Sequence, residues 1–157
     1  MSSAHDRVIE YLNSAGISYE EIEHPPAASA EEYSRIVGSA LQEQAKALLI
    51  RRYRREGGKD LVIHSLPGDA RGDLEALAEP LAAKRLRLAS VAELKAATGC
   101  DFGELPSIGS IFELPLSVDA RLLAQERVFF NAGRLDRSVV LNLNDVTAVE
   151  KPIVVPA

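Results

Sequence analysis

Lys46 stands at the head of an apolar run, Ala47-Leu48-Leu49-Ile50, within "EQAKALLIRR" at residues 43 to 52. A lysine at the mouth of a buried strand has two uses. Its methylene stem can cover apolar surface while the head reaches solvent, or its ammonium can face a cleft and hold a phosphate or ribose as a compact charge. A second group of interest is the Gly/Pro-punctuated stretch running from Gly103 through Pro106 to Gly109. Such loops hold backbone N–H groups in fixed directions, and two or three of these donors can bind a carbonyl oxygen or its tetrahedral oxyanion. Elsewhere the same residue types are plain turn punctuation. Asn131-Ala132-Gly133 with Ser138 forms a third group, in a pattern that also shapes hairpins. No carboxylate or histidine is clearly placed beside these groups as a general base.

Several other chemistries lack their residues. The chain has no GxxxxGK[ST] loop, no GxGxxG after a strand, and no HExxH, CxxC or GxSxG pattern. Its three histidines, at 5, 24 and 64, are too dispersed to propose a metal cluster, and Cys100 is the single cysteine, which excludes an internal disulfide. A net charge of -5 argues against a broad nucleic-acid-binding surface but leaves room for a local one. "RRYRREGGK", residues 51 to 59, sets five positive charges against one Glu, and "AKRLR" at 83 to 87 adds three more. Runs like these are either solvated hairpin surface or a polyanion contact. No apolar stretch approaches the ~20 residues of a membrane span, and the first residues resemble no secretory signal, so a cytoplasmic protein without membrane contact is expected.

The elements that would position these groups can be read from periodicity. "AHDRVIEYLNSAG" predicts a helix ending at Gly16, "ISYEEIE" a short strand, and the capping pattern Ser29/Glu32 a helix from about residue 30. "AKALLIRRYRREGGKDLVIHSLPGD" predicts an antiparallel hairpin with a Gly-Gly connection and Lys46 at its open end. Two helical patterns follow, Leu74-Leu77-Leu81 and Val91-Leu94-Ala97, with "RLRLA" as a strand between them. The last third reads as strand and loop, with two strands around a Gly turn in "RVFFNAGRLDRSVVLNLNDV". The sum is one α+β domain over residues 1–157, a mixed, barrel-like sheet with flanking helices.

The order "EHPPAASAEE", "AKALLIR", "GELPSIGSIFELPLSVD", "VFFNAGRLDRSVVLNLND" resembles the YbaK and prolyl-tRNA synthetase editing-domain family over nearly the whole chain. The resemblance implies a mixed barrel-like sheet and hydrolysis of mischarged aminoacyl-tRNA without metal or other cofactor. It implies a free-standing enzyme acting in trans on tRNA for proline, with a prolyl-tRNA synthetase as a possible partner and no DNA. The alternative is a catalytically silent module of the same fold that holds a tRNA end or a synthetase. By the same resemblance Lys46, Gly103, Pro106 and Gly109 are the catalytic candidates. His24, Ser29, Asp119, Asn131, Gly133 and Ser138 are candidates for substrate binding. Ile108, standing where the family usually has an aromatic, is expected to border the amino-acid pocket, and Asp136 replaces a histidine often found after "NAG". Arg51, Arg54 and Arg55 are the candidate tRNA contacts. An aminoacyl ester is already activated, so placing a water and stabilising an oxyanion suffices. A second pocket of this kind rejects side chains that a synthetase discriminates poorly.

Overall fold

The computed structural model describes residues 2–156. Helix α1 (Ala4–Ser14) begins with a reciprocal cap between Ser3 and Asp6 and buries Val8 and Leu12, one turn apart. Strand β1 (Tyr19–Glu23) leads through the Pro25-Pro26 loop to α2 (Ala30–Val37), whose N-cap Ser29 accepts from Glu32 N–H. β2 (Ala45–Arg54) and β3 (Lys59–Pro67) form the expected hairpin, and Gly57 and Gly58 both take the positive φ that its connection needs. Then come α3 (Leu74–Ala78), β4 (Ala83–Leu88) and α4 (Val91–Thr98), the last opened by the predicted Ser90/Glu93 capping box. The chain closes with β5 (Leu116–Asp119), α5 (Ala120–Leu123), β6 (Val128–Arg134), β7 (Arg137–Leu141), α6 (Leu143–Glu150) and β8 (Ile153–Val155).

These strands make two sheets rather than one curled barrel: an antiparallel β1-β7-β6 sheet and a mixed β4-β2-β3-β5-β8 sheet, in which β3–β5 and β5–β8 run parallel. A lone parallel bridge between Gln44 and Phe129 ties one to the other. β2 is apolar on both faces because it lies inside its sheet. Ala45 and Leu49 face the main core with Val8, Leu12, Ile63 and Phe130, while Ile50 faces a smaller cluster with Leu77 and Leu81. Among the described residues no helix is long and apolar enough to cross a membrane.

Two local expectations change. Gly133 is not the hairpin turn: β6 continues to Arg134, the turn is Leu135-Asp136, and the register shifts between Asn131 and Arg134. The glycine is needed there because a Cβ would lie 2.6 Å from His5 N and 2.7 Å from Ala4 C, where the start of α1 presses on the strand. The region after residue 141, read as strand and loop, holds α6, started by Asn142, whose side chain accepts from Asn144 N–H.

His64, on β3, is 2% exposed, and its Nδ1 lies 2.8 Å from Ser117 Oγ on β5. Burial pushes its pKa down to about 4, against a smaller upward pull from Asp119. The unfolded chain therefore binds the proton more readily, so the stabilisation from keeping this ring neutral is complete above about pH 6.5 and is lost as pH falls toward 4. A loss of roughly 2 to 3 kcal/mol in unfolding free energy is expected between pH 7 and pH 4.5. Urea titrations at the two pH values check it; an equal loss in His64→Gln would assign the slope to other groups.

Candidate active site

A cavity of about 380 Å³ opens beside the first half of β2, within the roughly 300–1,000 Å³ typical of small-ligand sites. Its walls are mainly apolar, with Ala27, Ala28, Leu49, Leu94, Phe129 and Phe130 among them, and its polar lining is Ser29, Tyr33, Gln44, Lys46 and Asn131. Gly103 lines both this cavity and a smaller one of about 140 Å³ that shares Ser29, Tyr33, Gln44 and Asn131.

The cavity exists because β2 is longer than its neighbour. β3 pairs with β2 from Ala45 to Tyr53, whereas β4 pairs only from Ile50 onward. Arg54 N–H donates to Gly58 O, and Gly68 N–H donates to Gln44 O, so even-numbered residues of β2 turn their backbone groups toward β3. Odd-numbered residues turn the other way, as Ala89 N–H donating to Leu49 O shows. Beyond the Gln44–Phe129 bridge, no strand among the described residues pairs with β2 around Ala47 on that side. The N–H and C=O of Ala47 therefore face the cavity from an open sheet edge, a ready set of directed donors and acceptors.

Lys46 lies at this edge with its side chain half-buried, and Nζ donates to Ala70 O at 2.8 Å. One carbonyl uses one of three ammonium donors, so the head is anchored while two protons stay available for a ligand. Across the cavity, Gly103 occupies the third position of a turn, Asp101-Phe102-Gly103-Glu104. Glu104 N–H closes this turn on Asp101 O at 3.1 Å, and Asp101 N–H donates to Glu104 Oε1 at 2.6 Å. The φ of Gly103 is +89°, the sign a type II turn demands at that place, and Gly103 lines the cavity. The Gly103 N–H makes no hydrogen bond to another described residue.

Behind the cavity wall sits a buried polar chain. Tyr33 O–H donates to Ser138 Oγ at 2.6 Å, and Ser138 Oγ lies 2.7 Å from His24 Nε2. His24 Nδ1 lies 2.9 Å from Pro25 O, a carbonyl that can only accept, so Nδ1 is the donor there. Every polar atom in the chain is thus satisfied. Burial raises the Tyr33 pKa to about 12, so the phenol remains a donor and its ring is fixed against the cavity. Ser138 bonds Tyr33 and His24, and neither His24 nor Ser138 is among the residues that line the cavity. Ser29 lines it while serving as the cap of α2. Asn131 lines it and donates from Nδ2 to Arg134 O, which leaves its Oδ1 toward no described partner.

The other expected site residues are elsewhere. Pro106 is buried, and Ile108, 0% exposed, packs in the main core and is not among the residues that line either cavity. The Gly109 N–H is not free for an oxyanion: it donates to Glu150 Oε1 at 2.8 Å, as does Ser110 N–H at 2.9 Å, while Tyr11 O–H donates to Oε2 of the same carboxylate. A Cβ on Gly109 would lie 2.3 Å from Leu114 O, so Gly109→Ala is expected to lower stability by ~1 to 3 kcal/mol or more, read as a lower melting temperature. Asp119 caps α5 and pairs with Arg121, and Gly133 packs under α1. Arg51 donates to Glu93, Arg54 to Asp60 and Arg55 to Glu79. Arg54 is eight residues along β2 from Lys46, about 26 Å away at the rise of a strand. Among the described residues, no three of His, Cys, Asp and Glu converge as a metal site.

Tyr33, Gln44, Phe102 and Ala47 were not singled out in the sequence. Tyr33 carried one signal, an aromatic four residues after the cap of the helix, on a turn otherwise made of Ala30, Glu31 and Glu32. Gln44 is 5% exposed, with Nε2 donating to Ala30 O and Ser39 Oγ, contacts that only the fold brings together.

Comparison with known proteins shows the fold and the family. The family model described as aminoacyl-tRNA editing domain matches residues 24–149. The multifunctional Ser/Thr-tRNA deacylase ProXp-y of Escherichia coli (strain K12) is 34% identical over 152 residues, 96% of this chain and 90% of that protein. A crystal structure of hypothetical protein APE2540 superposes with a TM-score of 0.82 at 22% identity, covering 94% of this chain and 96% of the other. A candidate trans-editing enzyme for prolyl tRNA synthetase superposes with a TM-score of 0.78 at 23% identity, covering 98% and 96%. The two structures share the fold, the family model spans most of the sequence, and the chain belongs to the aminoacyl-tRNA editing domain family, the YbaK-type hydrolases that deacylate aminoacyl-tRNA.

Proposed function

We propose that this chain is a trans-editing deacylase that removes small hydroxyl-bearing aminoacyl groups, serine and threonine, from mischarged tRNA, with tRNA for proline as the carrier. The reading rests above all on the open β2 edge: Ala47 and Gly103 offer backbone donors to one apolar cavity that also holds Lys46. An ester carbonyl between these amides is polarised where its negative charge develops. Water adds to the carbonyl carbon, the C–O bond to the ribose breaks, and the ribose oxygen takes the proton as it leaves. Among the described residues no carboxylate or imidazole lines the cavity, so the water is ordered by the other polar lining groups and by the substrate's own hydroxyl and amine. Asn131 Oδ1 and the Tyr33 oxygen provide acceptors for a side-chain hydroxyl, which supports serine and threonine over apolar groups of like size. The 34% identity to a Ser/Thr-tRNA deacylase, over 90% of its length, supports the same choice and an enzyme that acts in trans. The carrier is inferred from the resemblance of the "GELPSIG" and "VFFNAG" segments to prolyl-tRNA synthetase editing domains, and the cytoplasm follows as the place where tRNA is charged.

In this reading Arg54 and Arg55, half-exposed at the hairpin tip, meet the acceptor stem rather than its end. Arg54→Glu with Arg55→Glu is expected to raise KM more than it lowers kcat and to flatten the salt dependence of binding. Arg51 is unsuitable for that test because Glu93, its partner, also holds Arg87 and the cap of α4. The function itself is tested with seryl, threonyl, alanyl, cysteinyl and prolyl esters on one tRNA for proline. Seryl and threonyl release should be fastest and prolyl slowest; equal rates for all five, or alanyl fastest, would reject the assigned selectivity. Seryl release at the same rate from a tRNA of another acceptor identity would reject the carrier.

A further inference from the structure

The chain has four phenylalanines, and three are core residues: Phe112 at 7%, Phe129 at 2% and Phe130 at 1% exposure. Phe102 is 81% exposed, more than any other exposed large hydrophobic among the described residues. It is also held firmly in that position. The Asp101–Glu104 turn is closed by hydrogen bonds in both directions, Thr98 Oγ1 accepts from Cys100 N–H just before it, and Lys95 pairs with Asp101 at 3.4 Å. Phe102 lines the cavity and adjoins Gly103, the residue assigned the second backbone donor in the proposed function. Leu88, 55% exposed, is a second apolar residue of the same lining. An exposed aromatic fixed at the mouth of a reaction site needs an occupant with an apolar face.

We propose that Phe102 is the stacking platform for the base of the 3′-terminal adenosine of the substrate. This rests on the deacylase reading above. The ester joins the aminoacyl group to the terminal ribose, so with the carbonyl between Ala47 and Gly103 the base of that same nucleoside must leave through the mouth. Base–aromatic stacking tolerates any sequence and needs only one ring face, which suits an acidic protein that cannot hold RNA by charge alone. Phe102 is a positioning residue: it fixes the nucleoside, and through it the ester, without touching the reacting atoms.

The test uses two short seryl RNAs, one ending in adenosine and one ending in an abasic ribose. The parent enzyme should prefer the first in kcat/KM by roughly 10 to 100-fold, the range of one base–aromatic stack. Phe102→Ala should bring the ratio near one, mainly by raising KM on the adenosine-ended RNA, and Phe102→Trp should restore it. An unchanged melting temperature is expected for both variants, since the side chain is exposed. A preference that persists in Phe102→Ala, or a parent enzyme that hydrolyses both RNAs equally, overturns the proposal while the deacylase reading stands. Hydrolysis of neither RNA by the parent enzyme overturns the deacylase reading and the proposal with it.

Discussion

Gly103→Ala should lower turnover on seryl-tRNA by ~100 to 1,000-fold, the cost of misdirecting one oxyanion donor. The substitution acts on the backbone. At φ +89° a side chain is strained, and the turn is expected to relax by rotating the Phe102–Gly103 amide, the donor assigned to the oxyanion in the proposed mechanism. The fold should tolerate it, because the residue is exposed and the nearest obstacle to a Cβ is Leu135 Cδ2 at 3.0 Å, the movable end of a side chain. Single-turnover rates with a thermal melt separate the effects: a folded variant with a collapsed rate is the expected result. A folded variant with the parent rate would remove Gly103 from the mechanism. Gly109→Ala should behave oppositely, losing stability, because its amide serves Glu150 and its space is taken by Leu114 O.

Lys46→Ala should lower kcat/KM at least tenfold, with Lys46→Arg recovering only part. The ammonium is a compact charge anchored by one short bond to Ala70 O; a planar guanidinium cannot keep that bond and present its charge at the same point. The anchor also ties the segment after β3 to the sheet, so a small loss of stability is expected, of the size of one hydrogen bond, ~0.5 to 1.5 kcal/mol. The role of the lysine is read from the ratio of the two effects. An activity loss no greater than a nearby destabilising control, such as Ala70→Gly, would make Lys46 a structural tether.

Most of the elements were legible in the sequence because their signals are local. Ser29 and Ser90 cap helices, Gly57-Gly58 turns a hairpin, and Lys46 heads the strand. Helix α6 was missed because Val146, Thr147 and Val149 favour strands, and it is burial of Leu143 and Val146 against the core that decides the segment. The cavity lining was legible where it depends on a turn, as at Gly103, and illegible where it depends on register. The sequence does not say that β4 stops short of Ala47, and so does not show the open edge. Nor does it say that Glu150, 41 residues beyond Gly109, closes on that amide. Gly109 and Ile108 were grouped with Gly103 for this reason: one loop was read as one site, although Gly103 and Leu105 line the cavity while Ile108 packs in the core and the Gly109 amide bonds Glu150.

The central claim, that the ester is bound between the open β2 edge and the Gly103 turn, is tested most directly by backbone amide shifts during titration with a non-hydrolysable 3′-seryl-amino-3′-deoxyadenosine. The largest shifts are expected at Ala47 and Gly103, with smaller ones at Lys46 and Phe102 and little change at Gly109 and Ser110, whose N–H groups are bonded to Glu150. Shifts centred on Gly109 and Ser110, or on the hairpin tip at Arg54 and Arg55, with Ala47 and Gly103 unmoved, would contradict it.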